Sequence, residues 1–429
     1  MYDVFSLPAI DFPEGFLWGS ATAGHQVEGD NIHSQLWARE HEAEGREPSG
    51  KACNHYALYR QDVDLIAELG HQAYRASVEW SRIEPVEGDW NAEAVEHYVD
   101  LVRRLKERGV QPVITLRHMT HPEWFEQLGA FGKAENLRYF ERFVDYIVPK
   151  LSPYVDAWLV INEFNMAWTD PHAGPLKLNM LKAHARGYHV IKQHSQAPVS
   201  TAHAYIHWFP YRRHDDLDNR MTAYLDFVTH EFFFHAIRTG EFVFPYMDAV
   251  YDPEIKGTLD FWAVNYYTRH MVDARKKAFE GERFGHKQLK MISKDYWFEE
   301  MFPEGLIANL ERLKDLPVII TENGLSANDD RWRIVYLALH LSALKEAIDR
   351  GVDVRGYLHW SLMDNYEWGS FLPRFGLVNC DFATFERTPK PSAYFFRDII
   401  RENRMTPAMI RKHLKELPTL GEPGIRAKD

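Results

Sequence analysis

Two kinds of hydrophobic run alternate along the chain. Short stretches rich in β-branched and aromatic residues fall at 16–22 (FLWGSAT), 72–80 (QAYRASVEW), 112–118 (PVITLRH), 157–162 (AWLVIN), 199–206 (VSTAHAYI), 261–267 (FWAVNYY), 317–323 (PVIITEN) and 355–363 (RGYLHWSLM). Their length and composition predict eight strands. Between them, apolar residues recur at helical spacing: Val63, Ile66 and Ala67; Val95, Tyr98, Val99, Val102 and Leu105; Leu137, Phe140, Val144, Ile147 and Leu151. Strand followed by helix, repeated, predicts parallel strands. Eight such units favour an α/β protein built as a closed (β/α)8 TIM barrel with elaborated loops, although a doubly wound open sheet has the same local signature.

The placement of polar residues separates these architectures. His118, Asn162, Glu163, Asn265, Glu322 and Asn323 all fall at the C-terminal ends of predicted strands, the face where barrel active sites gather. An open sheet would concentrate ligands near one switch point, and no Gly-rich phosphate loop follows any strand. Without a linker or repeat, residues 1–429 read as one domain, with 407–429 as a C-terminal extension on its surface.

Composition narrows the function classes. A net charge of −12, with acidic and basic residues interleaved, gives no footprint for nucleic acid and favours a small neutral substrate. Cys53 and Cys380, the only cysteines, are far apart in sequence and read as reduced thiols rather than a disulfide framework or zinc ligands. The N-terminus has no signal-like apolar run, and no stretch approaches about 18 uncharged apolar residues, so a soluble cytoplasmic protein without membrane attachment is expected. Among the 22 histidines, His230 and His235 superficially suggest a zinc helix but are five apart, while His203 and His207 straddle a strand end. No metal or other cofactor is expected.

Glu163 and Glu322 end apolar strands, where a carboxylate pair is partly desolvated and self-repelling. Cleavage of an acetal needs such a pair: one carboxyl protonated to assist the leaving oxygen, the other ionised to attack or to activate water. Salt-bridged glutamates closing the barrel rim are the structural alternative.

The segments WLVINE (158–163) and ITENG (320–324) resemble the acid/base and nucleophile signatures of family 1 glycoside hydrolases, the β-glucosidase and β-galactosidase family. The resemblance continues in the family's order over nearly the whole chain, through FPEGFLWG (12–19), QVEG (26–29), YRAS (74–77), TLRH (115–118), NYY (265–267), GY (356–357), WSLMDNYEW (360–368) and RFGL (374–377). It implies a (β/α)8 barrel and a retaining β-glycosidase that releases terminal glucose, galactose or fucose from small β-glycosides or oligosaccharides, with transglycosylation open to it. Glu322 is then the nucleophile and Glu163 the acid/base. Arg75 and Tyr267 hold Glu322, and Asn265 joins the catalytic set. Gln26, His118, Asn162, Glu367 and Trp368 bind ring hydroxyls over a floor formed by Trp360. Relatives that act on 6-phosphorylated sugars replace the residue matching Glu367, so its presence implies an unphosphorylated sugar. The competing reading is a carbohydrate-binding or scaffold barrel without turnover.

The chain departs from the family pattern at Met119, where a tryptophan is usual, and at Phe164, where a proline is usual; the segment 165–175 is also short. These departures predict an open leaving-group site.

Overall fold

A computed structural model of the chain describes residues 3–42, 47–166, 170–276 and 301–418. Eight parallel strands close into a barrel in the order β1 (Leu17–Ala21), β2 (Ala73–Ser77), β3 (Gln111–Arg117), β4 (Ala157–Asn162), β5 (Val199–Ala204), β6 (Trp262–Asn265), β7 (Val318–Asn323) and β8 (Val354–Trp360), with β8 returning to β1. Every strand expected from the hydrophobic runs is present, and the open-sheet alternative is excluded.

Helices follow the strands and pack outside them. The helix after β2, Ala92–Glu107, shows how local sequence sets one. Asn91 caps it by accepting from the Ala94 amide at 3.2 Å, and Gly109, at φ +75°, ends it in the left-handed conformation. Val95, Tyr98, Leu101, Val102 and Leu105 form its buried face. Leu137–Leu151, after β3, buries seven residues, of which each large apolar side chain contributes roughly 1.5–3 kcal/mol of transfer free energy. The helix Arg331–Asp349 after β7 is instead buried on most sides, so it lacks a simple amphipathic signal.

Strand alternation separates two cores. Ala73, Val113, Ala157, Leu159, Ala202, Ala263 and Leu358 fill the barrel interior, while Tyr74, Ile114, Trp158, Val264 and Ile320 face the helices. Small residues predominate inside, leaving polar side chains room in the layers nearer the C-terminal face. Register irregularities on β4 between Leu159 and Asn162, and on β7 between Ile320 and Asn323, fall where the polar residues begin. Such bulges re-aim side chains next to active sites.

Outside the barrel, His207–Pro210 pairs in parallel with Arg269–Val272. Pro407–His413 forms a helix whose Ile410, with Leu414 beyond it, is buried in the main core. Cys53 and Cys380 meet as free buried thiols. Among the described residues, no helix is long and apolar enough to cross a membrane.

Candidate active site

Arg75, in the middle of β2, is fully buried and organises the centre of the barrel mouth. Its Nη1 donates to Glu322 Oε1 at 2.5 Å, Nη2 to Asn162 Oδ1 at 2.7 Å and Nε to Thr115 Oγ1 at 3.1 Å. Three strands are thus fixed by one planar donor fork. Tyr267 donates to the other Glu322 oxygen, Oε2, at 2.6 Å. Glu322, 3% exposed, therefore presents a carboxylate whose two oxygens are both oriented from behind.

Asn265 connects the two glutamates. Its Nδ2 donates to Glu163 Oε1 at 2.8 Å and to Asn162 Oδ1 at 3.0 Å, and its Oδ1 accepts from Thr321 at 2.7 Å. Asn265 also stands opposite Glu322 in the β6–β7 register. A single amide between the carboxyls places them close together, as a retaining pair separated by about 5–5.5 Å requires.

The two carboxyls meet different surroundings. Burial and the neighbouring charge of Glu322 push Glu163 up to about 8, against the pull of Asn265 and Arg75. Burial also raises Glu322, but Arg75 and Tyr267 pull it back, favouring its ionised form. Near neutral pH the shared proton belongs on Glu163. The Tyr267 hydroxyl is driven well up, first by burial and then by Glu322, so it stays a donor.

A second cluster lies across the mouth. Gln26 Nε2 is within 3.0 Å of Glu367 Oε2 and Asn365 Oδ1 and 2.9 Å from the Tyr366 carbonyl, while Trp360 Nε1 donates to Glu367 Oε1 at 3.2 Å. His118 stacks against Trp360 and Trp368, with ring centroids 5.8 and 6.1 Å away. Asn162 Nδ2 is 3.1 Å from His118 Nε2; because Asn162 Oδ1 already accepts two bonds, Nδ2 is the donor and the neutral imidazole accepts through Nε2. Burial, then Arg75 and Arg117, hold His118 well below its usual range, consistent with a neutral ring. Gln26 Oε1 and His118 Nδ1 are buried without a protein partner. An acceptor and a ring nitrogen left unpaired beside aromatic faces suit the hydroxyls and C–H face of a sugar.

Met119, Glu163 and Trp368 all have positive φ, at +65°, +52° and +51°. Non-glycine residues in this region carry strain of about 1–3 kcal/mol, a cost concentrated at functional sites. Gly324 is required for another reason: a Cβ there would lie 1.8 Å from the Trp360 carbonyl oxygen.

All eleven residues expected from the sequence converge at this mouth. Asn323 does not: its amide donates to the Tyr266 carbonyl and Tyr336, so it faces the helices. Phe164 also turns away. It is 4% exposed and packs edge-on against Phe232 and Phe233, which removes it from the expected leaving-group site. Met119 remains half-buried at the mouth. Residues 167–169 of the short segment lie outside the described residues. Thr115, Thr321 and Asn365 join the network without having been singled out; the inward parity of Thr115 on β3 and Thr321 on β7 is the signal that could have found the first two.

The sequence profile of Glycosyl hydrolase family 1 matches residues 9–405. Beta-glucosidase A of Thermotoga maritima is 29% identical over 91% of this chain and 98% of that protein, and a beta-galactosidase of Sulfolobus acidocaldarius is 28% identical over 96% and 99%. The solved beta-glycosidase from Pyrococcus horikoshii superposes with a TM-score of 0.84 at 34% identity, covering 96% of this chain and 99% of that one. The fold and mouth define a (β/α)8 glycosidase, and the chain belongs to glycosyl hydrolase family 1. It is an O-glycosyl hydrolase, and retention of configuration is general to its family.

Proposed function

We propose that the enzyme releases a terminal, unphosphorylated β-linked glucose or galactose from small neutral glycosides, Glu322 attacking the anomeric carbon while Glu163 protonates the departing oxygen. Glu163 then takes a proton from water, which displaces Glu322 and frees the sugar. The observation that carries this reading is the asymmetry of the pair: Glu322 is held by Arg75 and Tyr267, whereas Glu163 is bonded to an amide alone.

Gln26, His118, Asn162, Trp360, Glu367 and Trp368 form the sugar subsite in this proposal. Glu367 supports a neutral sugar, because a carboxylate facing Gln26 and Trp360 would repel a phosphate dianion. The names of the Thermotoga and Sulfolobus relatives support glucosides and galactosides respectively. We place leaving-group tolerance at Met119 and propose that residues 1–429 act as one domain, with Ile410 and Leu414 anchoring the C-terminal segment.

Hydrolysis of a panel of aryl β-glycosides, with product anomers followed by NMR, tests the reading. The β-sugar should appear first and mutarotate slowly. An initial α-sugar would overturn retention, and no turnover across the panel would leave the binding-protein alternative.

A further inference from the structure

Behind Glu163, on the side away from the mouth, lies a buried polar cluster with no part in the chemistry described above. Lys177, in the first turn of the helix Gly174–His194, is fully buried. Its ammonium donates to the Asn165 carbonyl at 3.0 Å and to the Val228 carbonyl at 2.6 Å, and lies over the rings of Phe232 and Phe244, 4.7 and 5.3 Å from their centroids. Among the described residues, no carboxylate is paired with it. A cation without a directly bonded counter-ion in such a place is costly, so an interaction that needs it is expected.

The two carbonyls define what Lys177 joins. Asn165 lies two residues after Glu163, in the short helical turn Phe164–Met166. Its side chain exchanges bonds with Ala204 at the end of β5, donating at 2.9 Å and accepting at 3.1 Å, and also reaches His203 and the Thr229 carbonyl. Val228 and Thr229 belong to the π-turn Phe227–Glu231, whose His230 bonds to His203 at 2.9 Å. A π-turn widens the helix locally and often marks a functional site. Here it brings Val228 O to Lys177. One ammonium therefore fastens the loop carrying Glu163 to a distorted helix turn beyond β5.

Glu163 depends on how that turn is held, by the Asn165 side chain on one side and by Lys177 on the other, because its own backbone makes only two bonds among the described residues. It sits at φ +52°, with its amide bonded to Ala202 O at 2.7 Å and its carbonyl to the Met166 amide at 3.0 Å. Without Lys177, the Asn165 and Val228 carbonyls lose a charged donor in surroundings that offer no replacement, and the turn can relax. A shift of about 1 Å at Glu163 moves its proton out of line with the leaving oxygen.

We propose that Lys177 is a positioning residue for Glu163, holding the Asn165 turn so that the Glu163 carboxyl points at the leaving oxygen. The inference rests on the assignment of Glu163 as acid/base. Burial lowers the lysine to about 7, opposed by Asp170; His203, His230, Arg312 and Asp226 are further charged or titratable groups around this cluster. Contact with two carbonyls and two ring faces favours the charged form in which it can act.

The test separates acid assistance from general damage. Aryl β-glucosides with leaving groups from 2,4-dinitrophenol to phenol are compared in the wild type, Lys177→Met, Lys177→Gln and Glu163→Ala, with folded sites counted by titration with a 2-deoxy-2-fluoro glycoside. Per folded site, Lys177→Met should lose about 30-fold or more in kcat/KM on the phenyl substrate and less than about threefold on the dinitrophenyl one, which leaves without protonation. Lys177→Gln, retaining a donor, should fall between Lys177→Met and wild type. An equal loss on all leaving groups, or none, overturns the proposal if Glu163→Ala shows the steep dependence. A flat response in Glu163→Ala overturns the acid/base assignment itself, and the role of Lys177 with it.

Discussion

Asn265 donates to Glu163 at 2.8 Å while standing in register with Glu322, so the end of one strand sets the spacing of both carboxyls. Its amide cannot neutralise either charge. The electrostatic difference between the glutamates comes instead from Arg75 and Tyr267, which serve Glu322 alone by direct contact.

That difference gives a pH prediction. Activity requires protonated Glu163, so kcat/KM should fall as pH rises through about 8, and this limb should be absent in Glu163→Gln assayed with a dinitrophenyl glycoside. Stability should respond in the same window. Because the folded value lies above the ordinary 4.5, the native state retains a proton that the unfolded chain has lost, and stability declines with rising pH between those values. Denaturant titrations should show Glu163→Gln matching wild type near pH 4 and exceeding it by roughly 3–5 kcal/mol near pH 8. A constant gap between the two proteins would contradict the proton assignment.

Removing Arg75 should damage both catalysis and folding. Arg75→Met leaves Glu322 buried without its cation, at a cost of about 3–5 kcal/mol in unfolding free energy, and should lower kcat/KM by roughly 10²–10³-fold. Losing the cation raises Glu322 further, so the acidic limb of the rate profile should move to higher pH. Tyr267→Phe keeps the ion pair and should shift that limb less. An unmoved acidic limb in Arg75→Met would show that Glu322 is not the group titrating there.

The sugar subsite predicts non-additivity. Glu367→Gln should cost about 1.5–3 kcal/mol in transition-state binding, roughly 10- to 150-fold in kcat/KM, as expected for hydrogen bonds to a charged group. Among monodeoxy glycosides, the one lacking the hydroxyl that contacts Glu367 should lose little further in the variant. Equal additional losses for every deoxy sugar would place Glu367 outside the subsite.

Gly324→Ala probes the packing beneath the nucleophile. A methyl group 1.8 Å from a backbone oxygen cannot be relieved by rotating a side chain, so β7 and β8 must separate. A melting temperature within about 2 °C of wild type would show that the strands tolerate it; a loss exceeding about 2 kcal/mol is expected.

The barrel and most of its mouth were legible in sequence because both follow strand periodicity. Every barrel strand was a distinct apolar run, and most of the polar residues closing those runs lie together once the barrel closes. Errors arose where the chain leaves that period. The positive φ at Glu163 reverses the course of the next residue, which is why Phe164 enters the core. Asn323 shares the parity of Thr321 but is turned outward by the register irregularity between Ile320 and Asn323, which brings Glu322 inward instead. Lys177 carries no signal: its importance depends on a π-turn about fifty residues away that no hydrophobic pattern announces.

The assignment of Glu322 as nucleophile and Glu163 as acid/base is tested most directly by azide rescue, because each variant leaves a different face of the sugar open. Glu322→Ala should be inactive on an activated aryl β-glycoside and, with azide, give the α-glycosyl azide, the anion having replaced the missing nucleophile. Glu163→Ala should still form the glycosyl-enzyme and, with azide, give the β-glycosyl azide. The reverse pairing of variants and anomers, or hydrolysis surviving in Glu322→Ala, would contradict the assignment.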